Sequence, residues 1–167
     1  ELINISSKFV IKNKSQINKE LISNKHIDKP VEFIYYINPK KSFNKIYKSL
    51  LNKGSLLVLG RNNFDINKFS DENIPEFMSV HASKGLESDN VMLINMTDDI
   101  YGFPNKIVNS KLIEELHPSD KTYLYAEERR LFYVALTRTK NKVYILVPLF
   151  KKSIFIKELR NLTKAIL

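Results

Sequence analysis

Five short runs of apolar residues, separated by stretches with helical periodicity, constrain the fold of this chain more than any other feature. The run at 55–60, SLLVLG, is almost continuously apolar, which is typical of a strand buried on both faces of a parallel sheet. The run at 31–37, VEFIYYI, is rich in the β-branched and aromatic residues that favour strands. We predict strands at 31–37, 55–60, 77–81, 89–96 and 142–148.

Apolar residues recur at helical spacing between and after these runs. Asn13 with Gln16 offers a capping box for a helix near the N-terminus. Strands that alternate with helices indicate an α/β domain with a mostly parallel sheet. The 167 residues fit one domain. Further helices are predicted at 39–54, 109–117, 126–140 and 153–167.

The composition excludes several kinds of site. The chain has no cysteine, which excludes disulfides, a thiol nucleophile and cysteine-ligated zinc, and its three histidines lack metal-site spacing. We therefore predict no metal site. The net charge of +9 favours a polyanionic partner such as nucleic acid, although an abundance of Lys, Asn and Ile throughout the chain accounts for that charge as well.

No stretch of the sequence predicts a membrane span or a secretory signal. The longest apolar run, at 143–150, is too short to cross a bilayer, and the first residues lack a signal-peptide layout. We expect a soluble, cytoplasmic protein without a membrane partner. The start at Glu1, without methionine, suggests a piece of something longer.

The sequence lacks a phosphate-binding loop. Its four glycines, at 54, 60, 85 and 102, include no pair with the spacing of Gly-x-x-x-x-Gly-Lys-Ser/Thr. Asp98 and Asp99 follow an apolar strand, as magnesium-binding acids do in nucleotide hydrolases. Without a phosphate-binding loop, we expect these two aspartates to lie in a solvated turn.

The predicted helix at 126–140 carries charge at both ends. Glu127 and Glu128 complement the positive end of the helix dipole, and Arg138 with Lys140 complements the negative end. Arg138 is also placed to act as an arginine finger, because an arginine that leaves a helix end beside a parallel sheet can meet a transferring phosphate. The i, i+3 spacing of Glu127 and Arg130 predicts an ion pair between them on the surface of the helix.

Two segments resemble one family in order and in setting. SVHASKGLE (79–87) and EERRLFYVALTRTK (127–140) resemble motifs V and VI of superfamily 1 DNA helicases of the UvrD/Rep/PcrA type. The resemblance extends to 56–63, 102–104 and 153–159. It implies a RecA-like three-layer sandwich, the second such domain of a motor, without the first RecA-like domain and without the accessory domain often inserted before motif V.

The resemblance assigns roles to single residues. It implies that Arg138 reaches the γ-phosphate of ATP and that Glu87 holds the ribose, while Gly85 lets the backbone approach the nucleotide. It implies that His81 and Ser83 face single-stranded DNA, on an open edge that His81 shares with Glu87. Lys84 neutralises a phosphate or is merely solvated. Arg61 and Asn63, in the loop after a predicted strand, either contact the nucleic-acid strand or play no part in binding.

The N-terminal stretch departs from the family pattern Asn-Tyr-Arg-Ser. In FVIKNKSQI (9–17), Ile11 stands for the tyrosine that stacks on adenine and Lys12 for the arginine that contacts phosphate. Lysine keeps the charge but loses the bidentate fork. If the register differs by two residues, Lys14 is the phosphate partner.

The implied function is that of the second motor domain of an ATP-dependent 3′-to-5′ DNA helicase. ATP and Mg²⁺ would require the absent first RecA-like domain of the same protein, and the other partner would be single-stranded or partly duplex DNA. Two alternatives stay open. One is a non-catalytic nucleic-acid-binding module of RecA-like shape, and the other is a helicase component of a helicase–nuclease or phage-defence complex.

Overall fold

The computed structural model describes residues 2–11, 29–107 and 125–164. A short 3₁₀ turn, Asp65–Lys68, lies between the second and third strands. The helices are α1 (Leu2–Ile11), α2 (Pro39–Leu50), α3 (Ala126–Leu136) and α4 (Ile154–Lys164). The strands are β1 (Val31–Tyr36), β2 (Leu56–Gly60), β3 (Phe77–Ser79), β4 (Ser88–Leu93) and β5 (Thr139–Pro148).

The five strands form one parallel sheet in the order β1-β5-β4-β2-β3. All five positions of β2 are buried, as its uninterrupted apolar run predicts. Successive residues of β2 and β4 pack on opposite faces of the sheet: Leu57 and Val91 in one cluster, Val58 and Met92 in the other. The predicted α/β class with a mostly parallel sheet is confirmed, and all observed strand pairs are parallel.

Helices cover both faces of this sheet. On one face, α1, α3 and α4 meet around Phe9, whose ring lies edge-on to Phe132 and Phe155 with centroids 5.1 and 5.2 Å away. On the other face, α2 packs Phe43 and Leu50 into a second cluster. Between these layers the sheet carries apolar side chains in both directions, which gives the three-layer sandwich. None of the helices described is long and apolar enough to cross a membrane.

Helix α1 is an element that the sequence did not predict. Its stretch is rich in Ile, Val and Phe, carries no capping signal and fits a helix no better than a strand. Burial of Ile5, Phe9 and Val10 supplies the stability that local propensity does not. The helix predicted from Asn13, together with Lys12 and Lys14, falls outside the described residues, as does the helix predicted at 109–117.

Helix α2 begins and ends with recognisable local signals. The Asn38 side chain accepts a hydrogen bond from the Lys41 N–H at 3.0 Å, and Pro39 occupies the first turn. The helix ends at Leu50, four residues before the predicted stop at Gly54. Gly54 has φ +98° and lies in the turn that leads into β2.

The boundary between α3 and β5 differs from the prediction. The helix predicted to reach 140 ends at Leu136, and β5 begins at Thr139. Pairing of Thr139 with Ser88, and a hydrogen bond from the Ser88 N–H to the Arg138 carbonyl at 3.0 Å, draw this segment into the sheet. Arg138 and Lys140 therefore lie beyond the last turn of α3, where the Arg138 Nε donates to the Val134 carbonyl and so complements the negative end of the helix.

Candidate functional site

The segment 80–87, between β3 and β4, runs from one end of the parallel strands to the other. Leu59 of β2 pairs with Met78 of β3 on one side and with Leu93 of β4 on the other. The next residues, Ser79 and Ile94, therefore lie at the same level along the strands. Ile94 is six residues beyond Ser88, the first residue of β4. At ~3.3 Å per residue, the two ends of the segment are separated by about 20 Å along the strands. We call the end where the strands finish the carboxyl edge and the other the amino edge.

His81 lies at the carboxyl edge and Glu87 at the amino edge. His81 follows the end of β3 by two residues, whereas Glu87 immediately precedes β4. The expectation that these two residues share one open edge is therefore wrong. The motif therefore places residues at both ends of the sheet.

At the amino edge, the Arg138 guanidinium rests against segment 80–87. Its Nη1 donates to the Leu86 carbonyl at 3.2 Å, and its Nε donates to the Val134 carbonyl at 3.2 Å. Within the described residues, Arg138 has no carboxylate partner, so its charge is not neutralised locally. Glu87, the residue after Leu86, is exposed. Arg138 thus contacts the residue that precedes Glu87, and both a cation and an exposed carboxylate lie at the amino edge.

Glycine is required at position 85 by the backbone conformation, and not by a neighbouring atom that would clash with a side chain. Its φ is +84°, and a Cβ built there would meet no atom within 4 Å. Only glycine adopts this region without strain. The turn that it allows sets the direction of the following residues, Leu86 and Glu87, toward the amino edge.

We expect Gly85→Ala to destabilise the chain by about 1–2 kcal/mol, because an L-residue with a side chain is strained at positive φ. Urea denaturation of both proteins measures the difference. Gly85→Asn is the matched comparison and should lose less, because asparagine tolerates positive φ better than alanine does. Equal stability of Gly85→Ala and the original chain would contradict this account of the turn.

At the carboxyl edge, His81 is exposed and kept neutral at neutral pH. Partial burial lowers its pKa below the ordinary value of 6.5, and the charges of Arg61 and Lys84 lower it further, while the Glu128 carboxylate partly offsets them. A neutral imidazole offers one donor and one acceptor. His81 is thus positioned to hydrogen-bond or stack without carrying charge.

Ser83 is fully buried, and its hydroxyl donates to the Val80 carbonyl at 2.8 Å. This placement argues against the predicted contact of Ser83 with DNA, since the side chain is shielded and closes the turn after β3. Asn63 is exposed in the loop after β2. Of these two residues, only Asn63 exposes its side chain to a ligand.

Arg61 forms a buried ion pair with Glu128 in the first turn of α3. Its Nε lies 3.0 and 2.9 Å from the two carboxylate oxygens, and its Nη2 lies 2.7 Å from Oε1. The side chains of Arg61 and Glu128 are 11% and 3% exposed. This pairing argues against the predicted contact of Arg61 with nucleic acid, and it gives Glu128 a tertiary role that the dipole argument missed.

The same carboxylate holds a further loop at this edge. Glu128 Oε2 accepts from the Asn105 N–H at 2.8 Å, and the Asn105 amide donates to Asn62 Oδ1 at 3.3 Å. Asn62 and Asn95 both donate to the buried Asp65, whose pKa is raised because burial disfavours its charge. The loops after β2 and β4 are therefore tied together and to α3.

Asp98 and Asp99 lie in a turn after β4, as predicted. Asp98 forms an ion pair with Lys106 at 3.0 Å and Asp99 with Lys151 at 3.8 Å. By contrast, Arg130 pairs with Glu127 at 2.9 Å on the surface of α3, which confirms the helix-surface interpretation of Arg130. Asp98, Asp99 and Glu127 each form an ion pair with a nearby lysine or arginine in the structure.

Exposed aromatic rings at the carboxyl edge are a feature that sequence reasoning missed. Phe64 and Tyr101 are 48% and 50% exposed, with ring centroids 5.6 Å apart at 85°, and Phe150 is 77% exposed. Each follows the end of a parallel strand, β2, β4 or β5. An aromatic residue in the loop that follows a strand is the signal that points to such rings.

A family profile, the UvrD-like helicase C-terminal domain, matches residues 1–148. The chain belongs to this family. The predicted resemblance to the C-terminal domain of UvrD-type helicases is thereby confirmed.

Curated relatives of this UvrD-like domain are named as helicases. DNA helicase IV of Escherichia coli (strain K12) is 40% identical over 87 residues, which cover 52% of this chain and 13% of that protein. A putative ATP-dependent DNA helicase, YjcD, of Bacillus subtilis (strain 168) is 30% identical over 145 residues, which cover 72% of this chain and 18% of that protein. The chain thus spans less than a fifth of either relative.

A helicase/nuclease protein and a solved structure are also similar to this UvrD-like domain. An ATP-dependent helicase/nuclease subunit of Geobacillus thermodenitrificans (strain NG80-2) is 31% identical over 97 residues, covering 45% of this chain and 8% of that protein. The crystal structure of the C-terminal domain of a possible DNA helicase from Lactobacillus plantarum superposes with a TM-score of 0.55 at 13% identity, covering 95% of this chain and 91% of that one. That likeness supports the RecA-like fold.

Proposed function

We propose that this chain is the second RecA-like domain of an ATP-dependent DNA helicase and completes an ATP site formed with a first RecA-like domain of the same protein. The observation that carries the proposal is the position of Arg138. Its guanidinium lies at the amino edge against Leu86, next to Glu87, with no carboxylate partner among the described residues. A cation held in this way is available to a phosphate brought by another domain.

The two residues at the amino edge would act on different parts of ATP. Arg138 would stabilise the charge that develops on the γ-phosphate during transfer, because its planar guanidinium can donate two hydrogen bonds to phosphate oxygens. Glu87 would accept hydrogen bonds from the ribose hydroxyls. Gly85 would leave the approach to the nucleotide open, since no atom lies within 4 Å of the place where its side chain would be.

Magnesium would be held outside the described part of this chain. Asp98 and Asp99, which most resemble magnesium-binding acids in the sequence, are engaged with lysines in the structure. Mg²⁺ and the phosphate-binding loop are therefore assigned to the first RecA-like domain. Lys12 remains our proposed phosphate contact in the N-terminal stretch, with Lys14 as the alternative.

Single-stranded DNA would bind along the carboxyl edge. His81 and Asn63 offer exposed polar groups there, and the rings of Phe64 and Tyr101 offer surfaces on which bases can stack. The net charge of +9 favours association with a polyanion. Arg61 and Ser83 are not included, because both side chains are buried and engaged within the protein.

The experiment that tests the proposal is unwinding by the complete protein. We expect ATP-dependent separation of a duplex with a 3′ single-stranded tail and little separation of one with a 5′ tail. The polarity rests on the family resemblance alone. The 167-residue chain by itself is expected to hydrolyse no ATP, and DNA-stimulated turnover by this chain would refute the division of the site between two domains.

A helicase component of a helicase–nuclease complex is a second candidate function. The similarity to the helicase/nuclease protein of Geobacillus thermodenitrificans favours it. In that case the complete protein should cleave DNA, or should co-purify with a nuclease that does. A non-catalytic module, suggested by Ile11 and Lys12, would instead bind DNA and hydrolyse no ATP in the complete protein.

The charge state of His81 predicts a pH dependence of DNA binding. Because its pKa is lowered below 6.5, the imidazole is neutral at about pH 7.5 and becomes cationic only as the pH falls through that lowered value. The cation attracts phosphate, so the affinity for oligo(dT) should rise by about two- to five-fold between about pH 7.5 and about pH 5, the range expected for an exposed ion pair. Fluorescence anisotropy measures the change.

His81→Gln is the control for this pH dependence, because glutamine keeps a donor and an acceptor without titrating. We expect it to reduce the rise in affinity. If His81→Gln and the original protein show the same pH dependence, the rise comes from another group and His81 is not in the binding surface.

A further inference from the structure

Helix α3 connects the two proposed sites, and this inference rests on that proposed function. Its first turn lies at the carboxyl edge, where Glu128 binds Arg61, and its C-terminal end leads directly to Arg138 at the amino edge. With 11 residues at ~1.5 Å per residue, the helix spans about 16 Å. A displacement at one end of such a helix reaches the other end with little loss.

The Glu128 carboxylate attaches the helix to the carboxyl edge at two points. It accepts hydrogen bonds from the Arg61 guanidinium in the loop after β2 and from the Asn105 N–H in the loop after β4. Arg61 is also close enough to His81 for its charge to lower the pKa of that residue. The Val80 N–H also donates to the Gly60 carbonyl at 2.9 Å, so the residues adjoining His81 and Arg61 are hydrogen-bonded to each other.

Segment 80–87 forms a second connection between the same two ends. It begins beside His81 and ends where the Leu86 carbonyl accepts from Arg138. The Ser88 N–H then donates to the Arg138 carbonyl, so backbone and side chain of Arg138 are both attached to this part of the chain. Helix and segment meet at Arg138, which makes Arg138 sensitive to movement of either.

We propose that Glu128 is a positioning residue that couples occupancy of the carboxyl edge by single-stranded DNA to the placement of Arg138. DNA bound at His81 would press on the loop that carries Arg61. Separating a buried Arg–Glu pair leaves an uncompensated charge, which is strongly unfavourable. The first turn of α3 therefore follows the loop, and Arg138 moves with the helix.

A second ion pair on the same helix offers a matched control. Arg129 binds Glu158 of α4 through two hydrogen bonds of 2.7 and 2.8 Å, and the two side chains are 16% and 24% exposed. This pair has similar geometry and attaches α3 to α4 instead of to the loops after β2 and β4. General weakening of α3 should affect both pairs, whereas coupling to DNA should depend on Glu128.

The experiment measures steady-state ATP turnover by the complete protein with and without saturating oligo(dT). The original protein should be stimulated by the oligonucleotide. Glu128→Gln should lower the ratio of stimulated to unstimulated turnover by roughly tenfold, within the range of measured couplings between sites. Glu158→Gln should keep most of the original ratio, and oligo(dT) affinity, measured separately, should change little in either variant.

A double variant distinguishes loss of coupling from loss of folding. Arg61→Met with Glu128→Leu replaces the buried pair by apolar side chains of similar size, which is often neutral for stability. We expect it to lose stimulation as Glu128→Gln does. Full stimulation in a folded double variant, or an equal loss in Glu158→Gln, would overturn the coupling role. Absence of stimulation in the original protein would instead overturn the proposed function, and the coupling with it.

Discussion

Replacing Arg138 with alanine is expected to lower ATP turnover by the complete protein by about 10³ to 10⁵, the usual loss when an arginine finger is removed. The expectation depends on the guanidinium at the amino edge, which has no carboxylate partner among the described residues. Binding of single-stranded DNA should survive, since the carboxyl edge lies at the other end of the strands. Steady-state turnover and oligonucleotide anisotropy measure the two effects.

Two further variants make this result specific. Arg130→Ala removes an exposed arginine of α3 that is paired with Glu127 at the surface, and it should leave turnover close to the original. Arg138→Lys keeps the charge but loses the planar fork, so we expect it to recover only part of the activity. Turnover that is unchanged in Arg138→Ala would remove the finger assignment.

Replacing Glu128 with alanine is expected to destabilise the chain by about 3–5 kcal/mol, because Arg61 would be left buried without its partner. The Asn105 N–H would lose its acceptor in the same change. Urea denaturation of the 167-residue chain measures the loss. The magnitude is large compared with the total stability of most domains, so the variant should be far less soluble as well.

The neighbouring glutamate supplies the control. Glu127 is 73% exposed and pairs with an exposed arginine, so Glu127→Ala should change the free energy of unfolding by no more than about 0.5 kcal/mol. Similar losses in the two variants would show that Glu128 acts through the helix dipole, which both residues share, and not through Arg61.

The strand pattern could be predicted because each strand is a local signal. The unbroken run at 55–60 predicts burial on both faces, and β2 is buried at every position. The helices with clear periodicity, α2, α3 and α4, were also found. Helix α1 was missed because its residues fit either state and only packing of Phe9 and its neighbours decides between them.

Element ends were harder to predict than the elements themselves. The extension of β5 back to Thr139 depends on pairing with Ser88, which lies far earlier in the chain. No pattern within 126–140 contains that information. As a result, Arg138 lies in the connection between helix and strand, where its carbonyl and its guanidinium contact Ser88 and Leu86.

Adjacent residues with the same chemistry received different roles in the structure. Glu127 and Glu128 are equivalent in a helix-dipole argument, yet one lies in solvent and the other holds Arg61. Ser83 was predicted to face DNA, and Arg61 either to contact it or to play no part, and both side chains are engaged within the protein. The side of a helix or turn that faces the sheet is decided by packing across the chain, so sequence spacing alone does not identify the buried member.

The α/β class, the parallel sheet and the two motifs that identify the family could be predicted, because they depend on local apolar runs and on contiguous residues. Long-range packing placed His81 and Glu87 at opposite ends of the strands and set Arg138 against Leu86 at the amino edge. The separation of His81 from Glu87 follows from strand register, because the pairing of β2 with both β3 and β4 sets the position of Ser79 relative to Ser88.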